Sequence, residues 1–169
     1  MRIYIGIDNG VSGSLAYLGK DVVYFQPTPC RVEQNYTKKK AKITRIDTVA
    51  LESLFSEWFF RWITSIYVPR VIFERPYVNP KGFKATVSAL RALEAMLIMV
   101  EYFNLSYVYV DSKQWQREML PKGLKGTAEL KKASMDIGIR LFPELKGAIR
   151  KHKDADSLLM AEWARRTGL

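Results

Sequence analysis

A chain of 169 residues, 48% hydrophobic and 26% charged, has the length and balance of one soluble globular domain with a sizeable core, expected to span 1–169. Its single cysteine, Cys30, excludes an internal disulfide and a cysteine-built zinc centre, and reads as a free thiol in a reducing cytoplasm. The 27 Lys and Arg against 17 Asp and Glu leave a net charge of +10, which favours a polyanion such as nucleic acid over an anionic membrane surface.

The first residues, Met1-Arg2-Ile3-Tyr4-Ile5-Gly6, run straight into a strand pattern covering Arg2 to Ile7, with no secretory leader visible. Asp8 to Ser14 is a turn with two glycines, Gly10 and Gly13. Leu15 to Leu18 and Val22 to Gln26 read as two further strands joined by Gly19-Lys20-Asp21. Gln26 to Lys42 reads as a polar, proline-containing loop that ends in Lys38-Lys39-Lys40-Ala41-Lys42.

Asp47 is the expected N-cap of a helix from Thr48 to about Ile63, with Val49, Leu51, Leu54, Phe55, Trp58 and Phe59 at helical spacing. Arg70 to Glu74 is a short strand ending on a carboxylate. A loop from Arg75 to Lys84 precedes a long helix, about Ala85 to Phe103. Ser106 to Val110 is a strand, Ser112 to Met119 a short helix, and Pro121 to Thr127 a basic loop. Helices over Ala128 to Leu141 and Ala155 to Arg166 complete the chain. The longest apolar stretch, Ala95 to Val100, is too short to cross a bilayer, so no membrane partner is expected. Hairpin strands followed by alternating strands and helices predict an α/β fold: a mixed five-stranded sheet flanked by helices.

Three acids stand out by placement. Asp8 closes the first strand, Glu74 closes Val71-Ile72-Phe73, and Asp156 opens the last helix with Asp154 just before it. Taken singly, each is an ordinary end-of-strand residue or helix cap. Together, carboxylates converging from separate segments repel one another until cations neutralise them. Oxygen ligands of this kind suit Mg²⁺, with Mn²⁺ as the alternative. Two such ions activate a water, hold a scissile phosphate and stabilise the leaving oxygen.

The motifs carrying these acids resemble those of RuvC-type Holliday junction resolvases. Ile5-Gly6-Ile7-Asp8-Asn9-Gly10-Val11-Ser12-Gly13-Ser14 is similar to the first motif and Ile72-Phe73-Glu74-Arg75-Pro76 to the second. Asp154-Ala155-Asp156-Ser157-Leu158-Leu159-Met160-Ala161 is similar to the last. Gln114-Trp115, Glu129 to Ser134 and Leu141 to Leu145 look like phage-encoded members. The resemblance implies a ribonuclease H-like fold, Mg²⁺-dependent phosphodiester hydrolysis, a homodimer and a four-way junction as substrate. The setting it implies is the cytoplasm of a bacterial or phage-infected cell. It carries Asp8, Glu74 and Asp156 over as catalytic metal ligands. The fourth acid of the family would fall on Lys153, so Asp154 takes that role here, with His152 as the alternative. Asn9 stands where many relatives have proline. Ser12 and Ser14 are expected to satisfy backbone groups of the turn.

Tyr77 follows Glu74 by the offset at which resembling proteins place an aromatic wedge, and Phe83 is the second candidate. The alternative for Tyr77 is packing beneath its own loop. Lys81, Lys84, Lys38, Lys39, Lys40, Lys122 and Lys125 are the expected phosphate contacts, with Arg117, Lys131 and Lys132 in the same basic region as the last two. The apolar arc of the long helix, including Leu90 and Leu97, serves either the core or a dimer interface. Competing readings are a nucleotide-binding domain of the actin and sugar-kinase class, a related nuclease for forks, flaps or RNA–DNA hybrids, and a junction-binding protein without catalysis.

Overall fold

The computed structural model describes residues 2–36, 38, 40–62 and 69–169. Lys39, Ile63 and the side chain of Phe59 lie outside the described residues. Strand β1 (Ile3–Ile7) is buried at every position, as befits the centre of a sheet covered on both faces. It pairs antiparallel with β2 (Ser14–Leu18), which pairs antiparallel with β3 (Val23–Pro27). On its other side β1 runs parallel to β6 (Pro69–Glu74), which runs parallel to β7 (Ser106–Val110). The five-stranded order β3-β2-β1-β6-β7 is the mixed sheet expected from the sequence. Because Ile7 lies opposite Phe73, Asp8 and Glu74 leave neighbouring parallel strands at the same carboxyl edge.

The stretch expected to be a polar loop contains one strand instead, and a second begins at its last residue, Lys42. β4 (Cys30–Gln34) and β5 (Lys42–Ile46) form a separate antiparallel ribbon, in register from Cys30↔Ile46 to Gln34↔Lys42. Most of the ribbon faces solvent and is laced by charge, with Glu33 accepting from Arg45 at 2.7 Å and facing Arg31 at 3.4 Å. No apolar alternation therefore marked it, and the nearby prolines and lysines suggested a loop.

Helix α1 (Thr48–Trp62) starts at the expected cap, where Asp47 Oδ1 accepts the Ala50 N–H at 3.1 Å. With α2 (Phe83–Tyr102) it covers one sheet face, placing Leu51, Phe55 and Met96 against Ile5, Leu15 and Phe73. Each fully buried side chain of this kind contributes about 1.5–3 kcal/mol. The opposite face carries α3 (Ser112–Met119), α4 (Gly126–Leu141), α5 (Lys146–His152) and α6 (Asp156–Thr167). Here Trp115, Ile149 and Leu158 pack on Tyr4, Ala16 and Ile72. The short α5 was not anticipated; it occupies a segment too brief to show a helical period. Among the described residues no helix is long and apolar enough to cross a membrane.

One glycine sets how closely α6 approaches the sheet. A Cβ built on Gly6 would lie 2.0 Å from the backbone carbonyl oxygen of Ser157. The helix thus sits on bare β1 backbone, which brings Asp156 down beside the strand that delivers Asp8. Gly6→Ala is expected to cost about 3 kcal/mol or more, because a carbonyl inside a packed helix cannot yield as a side chain would. In a thermal melt this appears as a fall of about 6–12 °C. An unchanged melting temperature would show that α6 can lift without penalty.

Candidate active site

Asp8 is held by the turn behind it. Its N–H donates to the Ser14 carbonyl at 3.0 Å, and a Cβ on Gly13 would sit 2.0 Å from the Asp8 carbonyl oxygen, so only glycine closes this loop. Ser14 does not spend its hydroxyl on the turn as expected. It pairs with the Ser157 hydroxyl at 2.8 Å, fastening β2 to α6 beside Asp156. Asn9 reaches across to α2, donating to the Ala89 carbonyl at 3.1 Å.

Glu74 is aimed by a residue whose role the sequence did not disclose. The buried Trp115 indole donates to Glu74 Oε1 at 3.2 Å. Trp115 is the apolar anchor of α3, whose start is fixed by Gln114 Oε1 accepting the Asp111 N–H at 2.7 Å. The visible signal was a tryptophan in a mostly polar helix.

The segment between α5 and α6 brings both Asp154 and His152, the two candidates for the fourth ligand, inward. His152 ends α5, and Lys153 adopts the left-handed conformation at φ 78°, with its side chain exposed. That reversal points Asp154 back toward the site, where it is buried. His152 is not a solvated helix-start residue; its side chain is only 8% exposed and its Nε2 lies 3.3 Å from Asp154 Oδ1. Lys131, expected on a basic outer surface, donates instead to Asp154 Oδ2 at 2.9 Å. Asp156 accepts a hydrogen bond from Ser134, whose oxygen in turn accepts the Ala155 N–H at 3.1 Å. Ser134 thus links α4 to the first turn of α6.

The cluster is electrostatically frustrated. Burial pushes the Asp8 carboxyl well above its ordinary range, and the charges of Glu74, Asp156 and Asp154 push it further. Burial also raises Glu74, although the Trp115 and Asp8 hydrogen bonds oppose it. Asp156 is pushed up to about 7, by burial first and then by Asp154 and Glu74, with the Ser134 hydrogen bond opposing. Asp154 goes the other way. Burial raises it, but His152 and Lys131 together outweigh that and hold it below the usual carboxylate range.

Such an arrangement fits a divalent cation. Ligand atoms of Asp8, His152 and Asp154 lie within 4.8 Å of one another. The buried His152 Nε2 and Asp154 Oδ1 face each other without hydrogen-bond geometry, and among the described residues neither has another hydrogen-bond partner. Buried polar atoms rarely stay unsatisfied, and a metal ion would use both. Glu74 and Asp156 line an adjoining open groove of about 620 Å³.

That groove runs between the loop after β6 and helices α3 and α4, with Tyr77, Lys113 and Lys131 among its walls. Tyr77 is 83% exposed, so it does not pack beneath its own loop. Phe83 and Lys84 border a different groove, beside the ribbon. Lys81, Lys38, Lys40, Lys122 and Lys125 are all exposed, and none of these lines the acidic groove. Lys113 was not singled out from the sequence, since a lone lysine on a polar helix carries no signal.

No protein-family model matches the chain, and no curated protein matches it. Solved structures do. T. thermophilus RuvC in complex with a Holliday junction substrate aligns at a TM-score of 0.57 and 14% identity, over 98% of this chain and 96% of that one. A second Thermus thermophilus RuvC structure aligns at 0.50 and 14% identity, over the same shares of both chains. The yeast mitochondrial Holliday junction resolvase Ydc2 aligns more loosely, at 0.43 and 13% identity, over 96% of this chain and 77% of that one. On the two Thermus alignments, the chain has the RuvC fold, a ribonuclease H-like mixed sheet flanked by helices.

Proposed function

We propose that the chain is a metal-dependent, structure-selective endodeoxyribonuclease that resolves four-way junctions and other branched DNA. It acts as a single nuclease domain over residues 1–169, as a homodimer, in the cytoplasm of a bacterial or phage-infected cell. One observation carries the proposal: Asp8, Glu74, Asp154 and Asp156 converge from separate segments, with His152 among them, on a chain of net charge +10. Non-catalytic junction binding does not account for buried carboxylates that repel one another. The RuvC fold, seen with a junction in one neighbour, supports branched DNA as the substrate class.

Mg²⁺ or Mn²⁺ held by the four acids and His152 would polarise the scissile phosphate and lower the pKa of an attacking water. The chain's own residues do the rest. Trp115 holds Glu74 in one orientation, and Lys131 keeps Asp154 ionised and ready to bind. Exposed lysines neutralise phosphates along the DNA arms without reading sequence. Hydrolysis adds water across one phosphodiester bond, leaving a phosphate on one fragment and a hydroxyl on the other. Leu90 and Ile98, 43% and 53% exposed on α2, offer the apolar surface a two-fold partner would cover.

The test is a cleavage assay on labelled junction, flap, fork, duplex and RNA–DNA hybrid, with Mg²⁺, Mn²⁺ or chelator. Junction cutting that requires the metal supports the proposal; preferential cutting of hybrid or no cutting of any substrate overturns it. Tyr77→Ala is expected to slow junction cleavage by about 5- to 100-fold, the loss of one base–aromatic stack, and to slow flap cleavage less. Equal slowing on both substrates would reject a wedge role for Tyr77.

A further inference from the structure

We propose that the groove between the β4–β5 ribbon and the start of α2 is a second DNA-binding site, which takes an unpaired base of a single strand. DNA as the polymer rests on the proposed function; the chemistry of an aromatic base joined to a phosphate does not. The groove holds about 600 Å³, within the roughly 300–1,000 Å³ range of pockets that take small organic groups. Val11, Ile43 and Val87 give it an apolar lining. Tyr36 and Phe83 stand at it 81% and 73% exposed, although neither contributes to the core in that state.

Charge selects the occupant. Lys42, Lys84 and Arg91 line the groove, and among the described residues no carboxylate lines it. The Arg91 guanidinium lies 6.0 Å from the centre of the Tyr36 ring, close enough to hold the ring by a cation–π contact. Apolar lining, exposed aromatic rings and cations together match a stacked base with its flanking phosphates. A paired duplex offers phosphates but no free base face, so it would leave the rings and the apolar lining uncovered. Val11 belongs to the turn after Asp8, so part of the groove's lining lies three residues along the chain from that acid. A two-stranded ribbon is marginal alone, and its docking against α2 is what builds the pocket.

The full chain is titrated in chelator with a labelled oligothymidylate of about 12 nucleotides, and with a duplex bearing one unpaired 2-aminopurine whose fluorescence falls on stacking. Tyr36→Ala and Phe83→Ala are each expected to weaken single-strand binding by about 5- to 100-fold and to reduce the quench, with fully paired duplex binding unchanged. Arg91→Gln is expected to lower the salt dependence by about one phosphate contact. Tyr36→Phe and Phe83→Tyr, which keep the rings, should bind as the parent does. Retained affinity and quench in both alanine variants would overturn the proposal, as would equal weakening on paired duplex. Junction cleavage with metal is scored separately. Its absence would remove the nuclease reading and leave the binding result to decide the groove alone.

Discussion

Asp8→Asn and Glu74→Gln are each expected to reduce metal-dependent junction cleavage on the order of 10³-fold, the rate equivalent of several kcal/mol of transition-state stabilisation. Asp8 is the common member of the cluster, since it feels the charges of Glu74, Asp156 and Asp154 together. Replacing it removes a ligand oxygen at the point where the segments meet. Junction affinity should stay within about twofold, because phosphate contacts and not the acids supply it. Asp21→Asn, a change of the same kind in the exposed β2–β3 turn, should leave both cleavage and binding as they were. Wild-type cleavage by the Asp8 or Glu74 variant would refute the assignment of the site. Loss of affinity in parallel with cleavage would instead mean that the acids shape the DNA-binding surface.

What the sequence disclosed depended on how local the cause was. Asp8 and Glu74 were legible because each ends an apolar run, and parallel pairing of those runs then places them side by side. Asp156 was legible as an acid just inside the last helix. The β4–β5 ribbon was hidden because its outward positions carry charge, including the cross-strand ion pair of Glu33 with Arg45. The choice between Asp154 and His152 could not be made from spacing. It turns on the left-handed Lys153, which lets residues on either side face the same point. Trp115, Lys131 and Ser134 act on acids 41, 23 and 22 residues away, and no window on the chain spans such contacts. For Lys131, net charge suggested an outer surface, whereas the rotation of α4 turned it to Asp154.

Metal-free protein is expected to lose stability as pH rises from about 4 to 7, and Asp156→Asn should abolish much of that loss. Asp156 ionises near 7 in the folded chain, against an ordinary value of 3.8. Between those values the folded state holds a proton that the unfolded state has released, so stability falls with rising pH until the folded group has ionised too. A difference of this size corresponds to about 4 kcal/mol at neutral pH. Asp8, also raised, adds loss in the same direction. Asp154, held low by His152 and Lys131, contributes stability above its ordinary value and loses it only at more acid pH. Global repulsion among the lysines and arginines changes with pH as well, so the informative quantity is the difference between parent and variant. In chelator, Asp156→Asn should melt close to the parent at pH 4 and well above it at pH 7.5. Saturating Mg²⁺ or Mn²⁺ should narrow that gap at pH 7.5, because only the parent keeps the full ligand set; at 100 times the dissociation constant, binding contributes about 2.7 kcal/mol. A gap that does not change between pH 4 and 7.5 would mean the Asp156 carboxylate is not held at a charge-repelling site. The acids would then be ordinary surface groups, with no strain for a cation to relieve.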